Sequence, residues 1–277
     1  MMTAAQNTTQ HPIRPHNEAP SAIWSSGGAA YDEVSRGILD AIEHAINRLE
    51  PSKQMRILDL ATGTGWAARR LSALGYDVTA VDFAPEMLAA GRHLADQRRL
   101  DIPFVKGDAE ALHFDDDKFD ALISTFGVMF TQRPEDAAAE MARVVRPGGR
   151  LVLAVWTPDS SVFEMFKVIK RYMPEPEGEP PPSPFAWGDT GQLQAWLGDA
   201  FELGFERGTS YYREPDPKAA WRTFVEGYGP VRTLAGKLDA DRRKQFESDF
   251  VAFHEQFRDE LGVTVPRDYL IVRGTRH

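Results

Sequence analysis

Short apolar runs and predicted helices alternate between Arg56 and Trp156. Five runs have the length and composition of buried strands: 56–60, 77–81, 102–106, 119–124 and 150–156. The segments between these runs predict helices at about 66–74, 85–99 and 135–145. Strands that are joined by connections of helix length indicate a mostly parallel sheet, with helices on both faces.

The flanking regions follow other patterns. A single helix is predicted from Tyr31 to Leu49, because apolar residues recur there at spacings of three and four. Two late runs, 201–212 and 268–273, predict strands that join the sheet as an antiparallel edge. A short helix is predicted at 192–197, and the proline-rich stretch 174–184 predicts an exposed loop. The face of a long late helix is marked by Phe246, Phe250, Phe253, Phe257 and Leu261.

We therefore predict a doubly wound, mostly parallel seven-stranded sheet of the Rossmann-like type, with an antiparallel edge and a helical cap. Residues 1–22 are polar and predict a mobile tail, with folding over a bound ligand as the alternative. Residues 23–277 would form one domain. Its segments 157–200 and 213–265 would cap the edge where the carboxyl ends of the strands meet and ligands bind.

Composition and charge exclude several classes of protein. The 277 residues include no cysteine, which rules out disulfides, thiolate catalysis and cysteine-based zinc sites. A net charge of −9 argues against broad binding to nucleic acid or to an anionic membrane. No window has the apolar length of a membrane span, and the polar N-terminus lacks the features of a signal peptide. We expect a cytoplasmic protein without membrane insertion.

The loop after the first predicted strand, residues 59–65, is rich in small residues that let a ligand approach the backbone. It also fits the dinucleotide-binding pattern G-x-G-x-x-A. Asp59 helps to distinguish a dinucleotide site from a site for a cationic ligand. A carboxylate at the strand end would repel a pyrophosphate and attract an ammonium or sulfonium cation. S-adenosylmethionine (SAM) carries both cations and no phosphate. The alternative interpretation is that Asp59 only caps the following helix or turn.

Three further loops follow predicted strands. Asp82 can accept hydrogen bonds from both hydroxyls of a ribose, in SAM or in NAD, unless it only caps the next helix. Asp108 can accept from an adenine amino group while Phe83 and Met87 enclose the ring, unless it lies in an exposed acidic turn. The segment Ser124–Phe130 is small and polar, then aromatic, and lies where donor and acceptor should meet.

Five segments resemble class I SAM-dependent methyltransferases in their order and spacing: ILDLATGTG, VDFAPEML, FVKGDAEALHF, FDALIS and RVVRPGGRLVLAVW. The likeness runs from about Trp24 to Trp156 and is closest to the branch that includes ubiquinone/menaquinone-biosynthesis methyltransferases. It implies SAM as donor, S-adenosylhomocysteine as product and no metal. Ala61 stands where a glycine is common in this family, and we expect one added methyl to have a modest effect.

The resemblance also extends to the segment before the first strand. Tyr31 and Arg36 would meet the carboxylate end of the donor, unless they belong to a plain amphipathic helix. The complete set of candidate cofactor contacts is Trp24, Tyr31, Arg36, Asp59, Ala61, Thr62, Gly63, Gly65, Asp82, Phe83, Met87, Gly107, Asp108, Ala109, Ser124, Thr125 and Phe126.

The acceptor is less well specified. We expect methyl transfer to an O, N, C or S atom of a small, apolar or aromatic molecule, because aromatic residues crowd the variable regions. These residues, which more often form core, are Trp156, Phe163, Phe166, Phe185, Trp187, Tyr211, Tyr212, Trp221, Phe224 and Tyr228. His254 is the one candidate for a catalytic base, with a partly exposed structural histidine as the alternative. The rival functions are an NAD(P)-dependent oxidoreductase and a noncatalytic SAM-binding module.

Overall fold

A single mixed sheet organises the molecule in this computed structural model, which describes residues 12–175, 180 and 182–277. Its strands are β1 (Arg56–Leu60), β2 (Asp77–Asp82), β3 (Phe104–Lys106), β4 (Phe119–Thr125), β5 (Val145–Trp156), β6 (Phe201–Glu214), β7 (Arg258–Asp259) and β8 (Gly262–Arg276). Their order is β3-β2-β1-β4-β5-β8-β6, and β7 pairs only with β8. The first five strands are parallel, and β8 runs antiparallel between β5 and β6.

The predicted fold class is confirmed. The parallel strands fall at the predicted apolar runs, and the two late strands form the expected antiparallel edge. The described part of the sheet has eight strands rather than seven, because β7 is a two-residue strand that turns directly into β8. This small difference leaves the arrangement around the ligand edge unchanged.

Helices pack against the sheet and above its ligand edge. They are α1 (Glu18–Ser25), α2 (Tyr31–Arg36), α3 (Leu39–Leu49), α4 (Trp66–Ala73), α5 (Pro85–Gln97), α6 (Pro134–Val144), α7 (Ser161–Lys170), α8 (Thr190–Leu197), α9 (Pro217–Gly227), α10 (Gly229–Lys237) and α11 (Ala240–Glu255). Among the described residues, no helix is long and apolar enough to cross a membrane.

Two helix predictions were wrong in detail. The predicted helix from Tyr31 to Leu49 divides into α2 and α3 at Gly37, where an added Cβ would lie 3.0 Å from the ring of Tyr212. The break lies at a glycine, which is a weak helix former, and Tyr212 of β6 packs closely against it. The late helix, α11, ends at Glu255, and Leu261 lies instead between β7 and β8 with 94% of its surface exposed.

The predicted tail over residues 1–22 also differs from the structure. Residues 1–11 lie outside the described residues, but Pro15–Asn17 form a 3₁₀ turn and α1 follows directly. Ser21 Oγ donates to the carbonyl oxygen of Phe83 at 2.7 Å, which ties α1 to the loop after β2. Hydrogen bonds to the ligand-edge loops therefore order this polar segment. Residues 176–179 and 181 of the predicted proline-rich loop lie outside the described residues.

The cap consists chiefly of α7, α9, α10 and α11, which contact one another or the segments α1 and α2. Helix α8, by contrast, packs against α6 and β6, so this part of the predicted cap belongs to the body of the fold. Because Trp156 at the end of β5 pairs with Tyr269, the segment Val263–Asp268 of β8 continues past the ligand edge together with the end of β6. This two-stranded extension supports the cap.

Candidate active site

Two carboxylates meet at the ends of β1 and β2. Asp82 Oδ2 accepts from the backbone N–H of Gly63 at 2.8 Å, and its Oδ1 accepts from that of Ala84 at 2.9 Å. Both Asp59 and Asp82 are buried, and burial raises the pKa of Asp59 to about 7 and that of Asp82 to about 6. Such a site favours a ligand cation, which stabilises the ionised carboxylates, over a ligand anion.

Asp59 has one engaged and one free oxygen. Its Oδ2 accepts from Thr62 Oγ1 at 2.5 Å and from the N–H of Ala68 at 2.9 Å, as the capping alternative requires. Its Oδ1 is buried and has no hydrogen-bond partner within the described part of the chain. A buried carboxylate oxygen without a donor is costly, and a ligand ammonium group would remove that cost.

The loop between β1 and α4 keeps its backbone open to the ligand. Ala61 and Gly63 both have positive φ, +54° and +59°. A Cβ added at Gly63 would lie 3.2 Å from the ring of Tyr31, and one at Gly127 would lie 2.5 Å from the Cβ of Ala61. Larger side chains at these glycines would fill the space between the loops, so the small residues create a cradle there.

Asp108 is held by the N-terminal segment. Asn17 Nδ2 donates to both of its carboxylate oxygens at 3.0–3.1 Å, and the N–H of Arg14 donates to Oδ2 at 2.8 Å. The N–H of Glu110 donates to Oδ1 at 2.9 Å. The carboxylate is 1% exposed, which contradicts the alternative of an exposed acidic turn. Asn17 was missed by the sequence analysis because it joins the site across 91 residues.

These loops surround a pocket of about 610 Å³, here called the cofactor pocket. The predicted residues that line it are Trp24, Tyr31, Ala61, Gly63, Asp82, Phe83, Met87, Gly107, Asp108, Ala109 and Phe126. The lining residues that were not predicted are Asn17, Leu60, Val81, Glu110, Gly127, Phe130 and Thr131. Most of these lie next to a predicted residue in the chain, whereas Asn17 had no neighbouring signal.

Six predicted residues do not line the pocket: Arg36, Asp59, Thr62, Gly65, Ser124 and Thr125. The side chain of Arg36 is 63% exposed and pairs with Glu33, so the structure does not bring it to the donor site. Ser124 Oγ donates to the carbonyl oxygen of Leu60 at 2.6 Å and so ties β4 to the start of the loop between β1 and α4. Gly65 begins α4 at φ +82°, where a Cβ would lie 2.7 Å from the ring of Phe104.

A second cavity of about 480 Å³, here called the acceptor cavity, adjoins the first. The two share Tyr31, Phe126 and Phe130. Phe126, with φ +59°, stacks on Trp156 with ring centroids 3.9 Å apart. The remaining lining residues are Val34, Ser35, Ile38, Trp156, Val162, Met165, Phe166, Phe224, Tyr228 and Arg267. Of the aromatic residues of the variable regions, four line this cavity, namely Trp156, Phe166, Phe224 and Tyr228, whereas Tyr211 is 45% exposed.

His254 lines neither of these cavities. It is fully buried, with Nδ1 2.8 Å from the carbonyl oxygen of Phe250, and burial lowers its pKa to about 4. The structure therefore places it among aromatic rings, away from the reacting atoms that a base must reach, and not in the partly exposed position of the alternative. Within the described residues, no cluster of three or more potential metal ligands occurs.

Comparison with known proteins shows which family this chain resembles. Residues 58–153 match the family described as a methyltransferase domain. Uncharacterized protein Rv1405c of Mycobacterium tuberculosis is 34% identical over 213 residues, which are 76% of this chain and 77% of that protein. Demethylmenaquinone methyltransferase of Renibacterium salmoninarum is 36% identical over 159 residues, which are 52% of this chain and 65% of that enzyme.

A solved structure shares the fold. Phospholethanolamine N-methyltransferase 2 of Haemonchus contortus, in complex with phosphomonomethylethanolamine and S-adenosylhomocysteine, has a TM-score of 0.54 at 15% identity. The match covers 86% of this chain and 52% of that one. The matching family and the demethylmenaquinone methyltransferase relative favour methyl transfer over the NAD(P)-dependent alternative. The chain therefore belongs to the class I SAM-dependent methyltransferases, on the branch related to the menaquinone-biosynthesis enzymes.

Proposed function

We propose that this enzyme transfers the methyl group of SAM to a small, apolar or aromatic acceptor that binds in the acceptor cavity. The observation that carries the proposal is the wall shared by the two cavities. Tyr31, Phe126 and Phe130 line both of them, so a donor in one and an acceptor in the other would meet at these rings.

The residues of the cofactor pocket fit SAM. Asp82 faces the pocket and would accept from the ribose hydroxyls, with Phe83 and Met87 beside the adenine ring. Asp59 does not line the pocket, so its buried carboxylate, whose Oδ1 is unpartnered, would attract the ammonium group of the methionine portion through its charge rather than by direct contact. The sequence analysis assigned the adenine amino group to Asp108, but each of its carboxylate oxygens already accepts two hydrogen bonds. Because Asn17 donates its amide N–H groups to Asp108, its carbonyl oxygen is left to accept from the adenine amino group instead.

When bound, SAM supplies an electrophilic methyl carbon whose sulfur leaves as a neutral thioether. The protein therefore has to align the acceptor and exclude water, and alignment of this kind contributes about 7–11 kcal/mol to barrier lowering. Buried rings of Trp156, Phe224 and Tyr228 line the acceptor side and keep it dry. Burial raises the pKa of Tyr31 to about 12, so its hydroxyl stays protonated at neutral pH and does not act as a base.

Calorimetry and turnover test this proposal in sequence. We expect SAM and S-adenosylhomocysteine to bind the purified chain and NAD to give no heat of binding. With a library of small aromatic and apolar acceptors, S-adenosylhomocysteine should then accumulate together with a methylated product. Binding of NAD, or of neither nucleoside, would overturn the cofactor assignment. SAM binding without turnover on any library member would favour the noncatalytic alternative.

A further inference from the structure

Arg267 is an arginine at an inward-facing position of an otherwise apolar strand face. It lies on the part of β8 that extends past the ligand edge, where alternate residues are buried. Its neighbours on that face, Val265 and Tyr269, are 2% and 4% exposed, and Arg267 itself is 4% exposed. Arg267 lines the acceptor cavity and not the cofactor pocket.

The described surroundings do not neutralise this cation. Nη2 of Arg267 is buried without a hydrogen-bond partner among the described residues. Its Cζ lies 4.0 Å from the ring centroid of Tyr212 and 5.8 Å from that of Phe224, so aromatic faces are its main contacts. Burial lowers the pKa of Arg267 to about 10, which leaves it protonated at neutral pH.

The two carboxylates that influence Arg267 are engaged with other donors. Glu214 Oε1 accepts from the hydroxyls of Tyr212 and Thr223 at 2.7 and 2.9 Å. Asp40 Oδ1 accepts from the N–H of Ala41 at 2.9 Å and from Ser210 Oγ at 2.6 Å. A buried arginine without a close carboxylate is unfavourable for folding, which makes a missing anionic partner the simplest physical reason for its retention.

We infer that the acceptor carries a carboxylate group and that Arg267 binds it. This inference rests on the proposed function, because it assigns the ligand of the acceptor cavity. One guanidinium balances one negative charge, and its planar fork matches a carboxylate in a bidentate pair. A phosphate monoester would bring nearly two charges against one buried cation, so an aromatic or otherwise apolar monocarboxylic acid is the better match.

The position of Tyr228 orients this acceptor. Its ring centroid lies 5.2 Å from that of Trp24, which lines the cofactor pocket, and 5.5 Å from that of Phe224. The ring of Phe224 in turn lies 5.8 Å from Cζ of Arg267, so Tyr228 and Phe224 form a series of contacts from the cofactor pocket to the arginine. A carboxylate on Arg267 would be held at the end of the cavity away from the donor, so the methyl group would reach another atom of the acceptor and the product would keep its free carboxylate.

The test compares acids with neutral analogues on the intact protein saturated with S-adenosylhomocysteine. The probes are substituted benzoic, cinnamic and medium-chain aliphatic acids, their primary carboxamides, and phenyl phosphate. Calorimetry should show at least one acid binding wild type about tenfold or more tightly than its carboxamide and than phenyl phosphate. Arg267→Met, which has a similar length and no charge, should abolish that preference, and Arg267→Lys should retain part of it.

Arg273→Met is the matched control, because Arg273 is an exposed arginine on the same strand. It should bind the acids as wild type does. If carboxamides bind as tightly as acids, or if no acid binds wild type better than Arg267→Met, the inference is overturned. A methyl ester as the turnover product would also contradict it.

Two further readouts separate this inference from the proposed function and from a structural role. Arg267→Met should bind S-adenosylhomocysteine as wild type does, and its melting temperature should be equal or higher because a buried unpaired charge is removed. If wild type itself fails to bind SAM, the proposed function is contradicted. If wild type binds SAM normally and methylates neutral acceptors independently of Arg267, only the inference is contradicted. A lower melting temperature would make Arg267 a structural residue and overturn its assignment.

Discussion

The cofactor pocket and the acceptor cavity share a wall, but they are built from the chain in different ways. The cofactor pocket is formed mainly by loops that directly follow parallel strands, and each of those loops is adjacent in sequence to an apolar run. The acceptor cavity draws on α2, α7, α9 and the extension of β8, which lie far apart in the chain. Local sequence therefore specifies the donor site far more than the acceptor site.

The two cavities also differ in charge. Four acidic side chains are buried in the strand ends and loops around the cofactor pocket: Asp59, Asp82, Asp108 and Glu110. In the acceptor cavity the buried charge is the single guanidinium of Arg267. An acidic pocket suits a cationic donor, and a cavity with one cation suits an anionic acceptor. Charge sign is thus a simple means by which the enzyme would keep its two ligands in separate sites.

The largest expected effect is on donor binding alone. Asp82→Asn should weaken SAM binding a hundredfold or more, because charged hydrogen bonds to two hydroxyls are worth about 1.5–3 kcal/mol each. Titration calorimetry measures this loss. Asp77→Asn, at the exposed opposite end of the same strand, is the matched control and should bind normally. Unchanged SAM affinity in Asp82→Asn would show that the ribose does not bind this carboxylate.

A second variant should act on the acceptor side alone. Met165 lines the acceptor cavity and not the cofactor pocket, so Met165→Phe should reduce kcat/KM about tenfold by occupying acceptor space. SAM affinity should be unchanged in calorimetry. Met141→Phe, which overpacks a buried methionine of α6 outside both linings, controls for general strain. If Met165→Phe lost SAM affinity by as large a factor as kcat/KM, the two cavities would not separate donor from acceptor.

The pH dependence of donor binding tests the acidic character of the cofactor pocket. The pKa values of Asp59 and Asp82 are raised from 3.8 to about 7 and about 6, so the folded protein holds these protons more tightly than the unfolded chain. The free energy of unfolding of the ligand-free protein should therefore fall as pH rises from the ordinary pKa of 3.8 to the folded values of about 6 and about 7. SAM affinity should rise about tenfold over the same window, because the cation favours ionised carboxylates.

The measurement is calorimetry of SAM binding from about pH 5 to about pH 8, together with thermal unfolding of the free protein. Asp59→Asn removes the carboxyl with the higher pKa and should flatten the upper part of the affinity profile. Comparison of the two proteins cancels the titration of SAM itself. An affinity profile that is identical in wild type and Asp59→Asn would contradict the assignment of the donor cation to this carboxylate.

The smallest expected effect is that of Ala61→Gly. Alanine at φ +54° carries backbone strain that glycine avoids, and the gain is partly offset by the greater entropy of glycine in the unfolded chain. The free energy of unfolding should rise by up to about 1 kcal/mol in urea titrations. Affinity for SAM should change little. A clear loss of stability would mean that the methyl group of Ala61, packed opposite Gly127, contributes more than the strain costs.

The sheet and the donor loops could be predicted because their signals are local. Apolar runs of strand length separated by helices imply parallel strands, and parallel strands place Asp59 and Asp82 at one edge. The break at Gly37 was missed because the apolar periodicity continues across this isolated glycine from Tyr31 to Leu49. Asn17 was missed because its partner, Asp108, lies far away in the chain.

Arg267 was missed for a different reason. The predicted strand began at Asp268, one residue later, because Pro266 and Arg267 interrupt the apolar run. In the structure, β8 begins at Gly262 and β6 pairs with it along this extension. An alternating pattern of Val263, Val265, Arg267 and Tyr269 is visible in the sequence once the strand is extended, and the arginine then stands on the buried face.

A crystal structure with S-adenosylhomocysteine bound tests the central claim most directly, namely that donor and acceptor meet at the wall of Tyr31, Phe126 and Phe130. We predict that the ribose hydroxyls bind Asp82 and that the sulfur faces this wall, with the acceptor cavity open beyond it. A nucleoside whose ribose binds elsewhere, or whose sulfur points away from these three rings, would contradict the account.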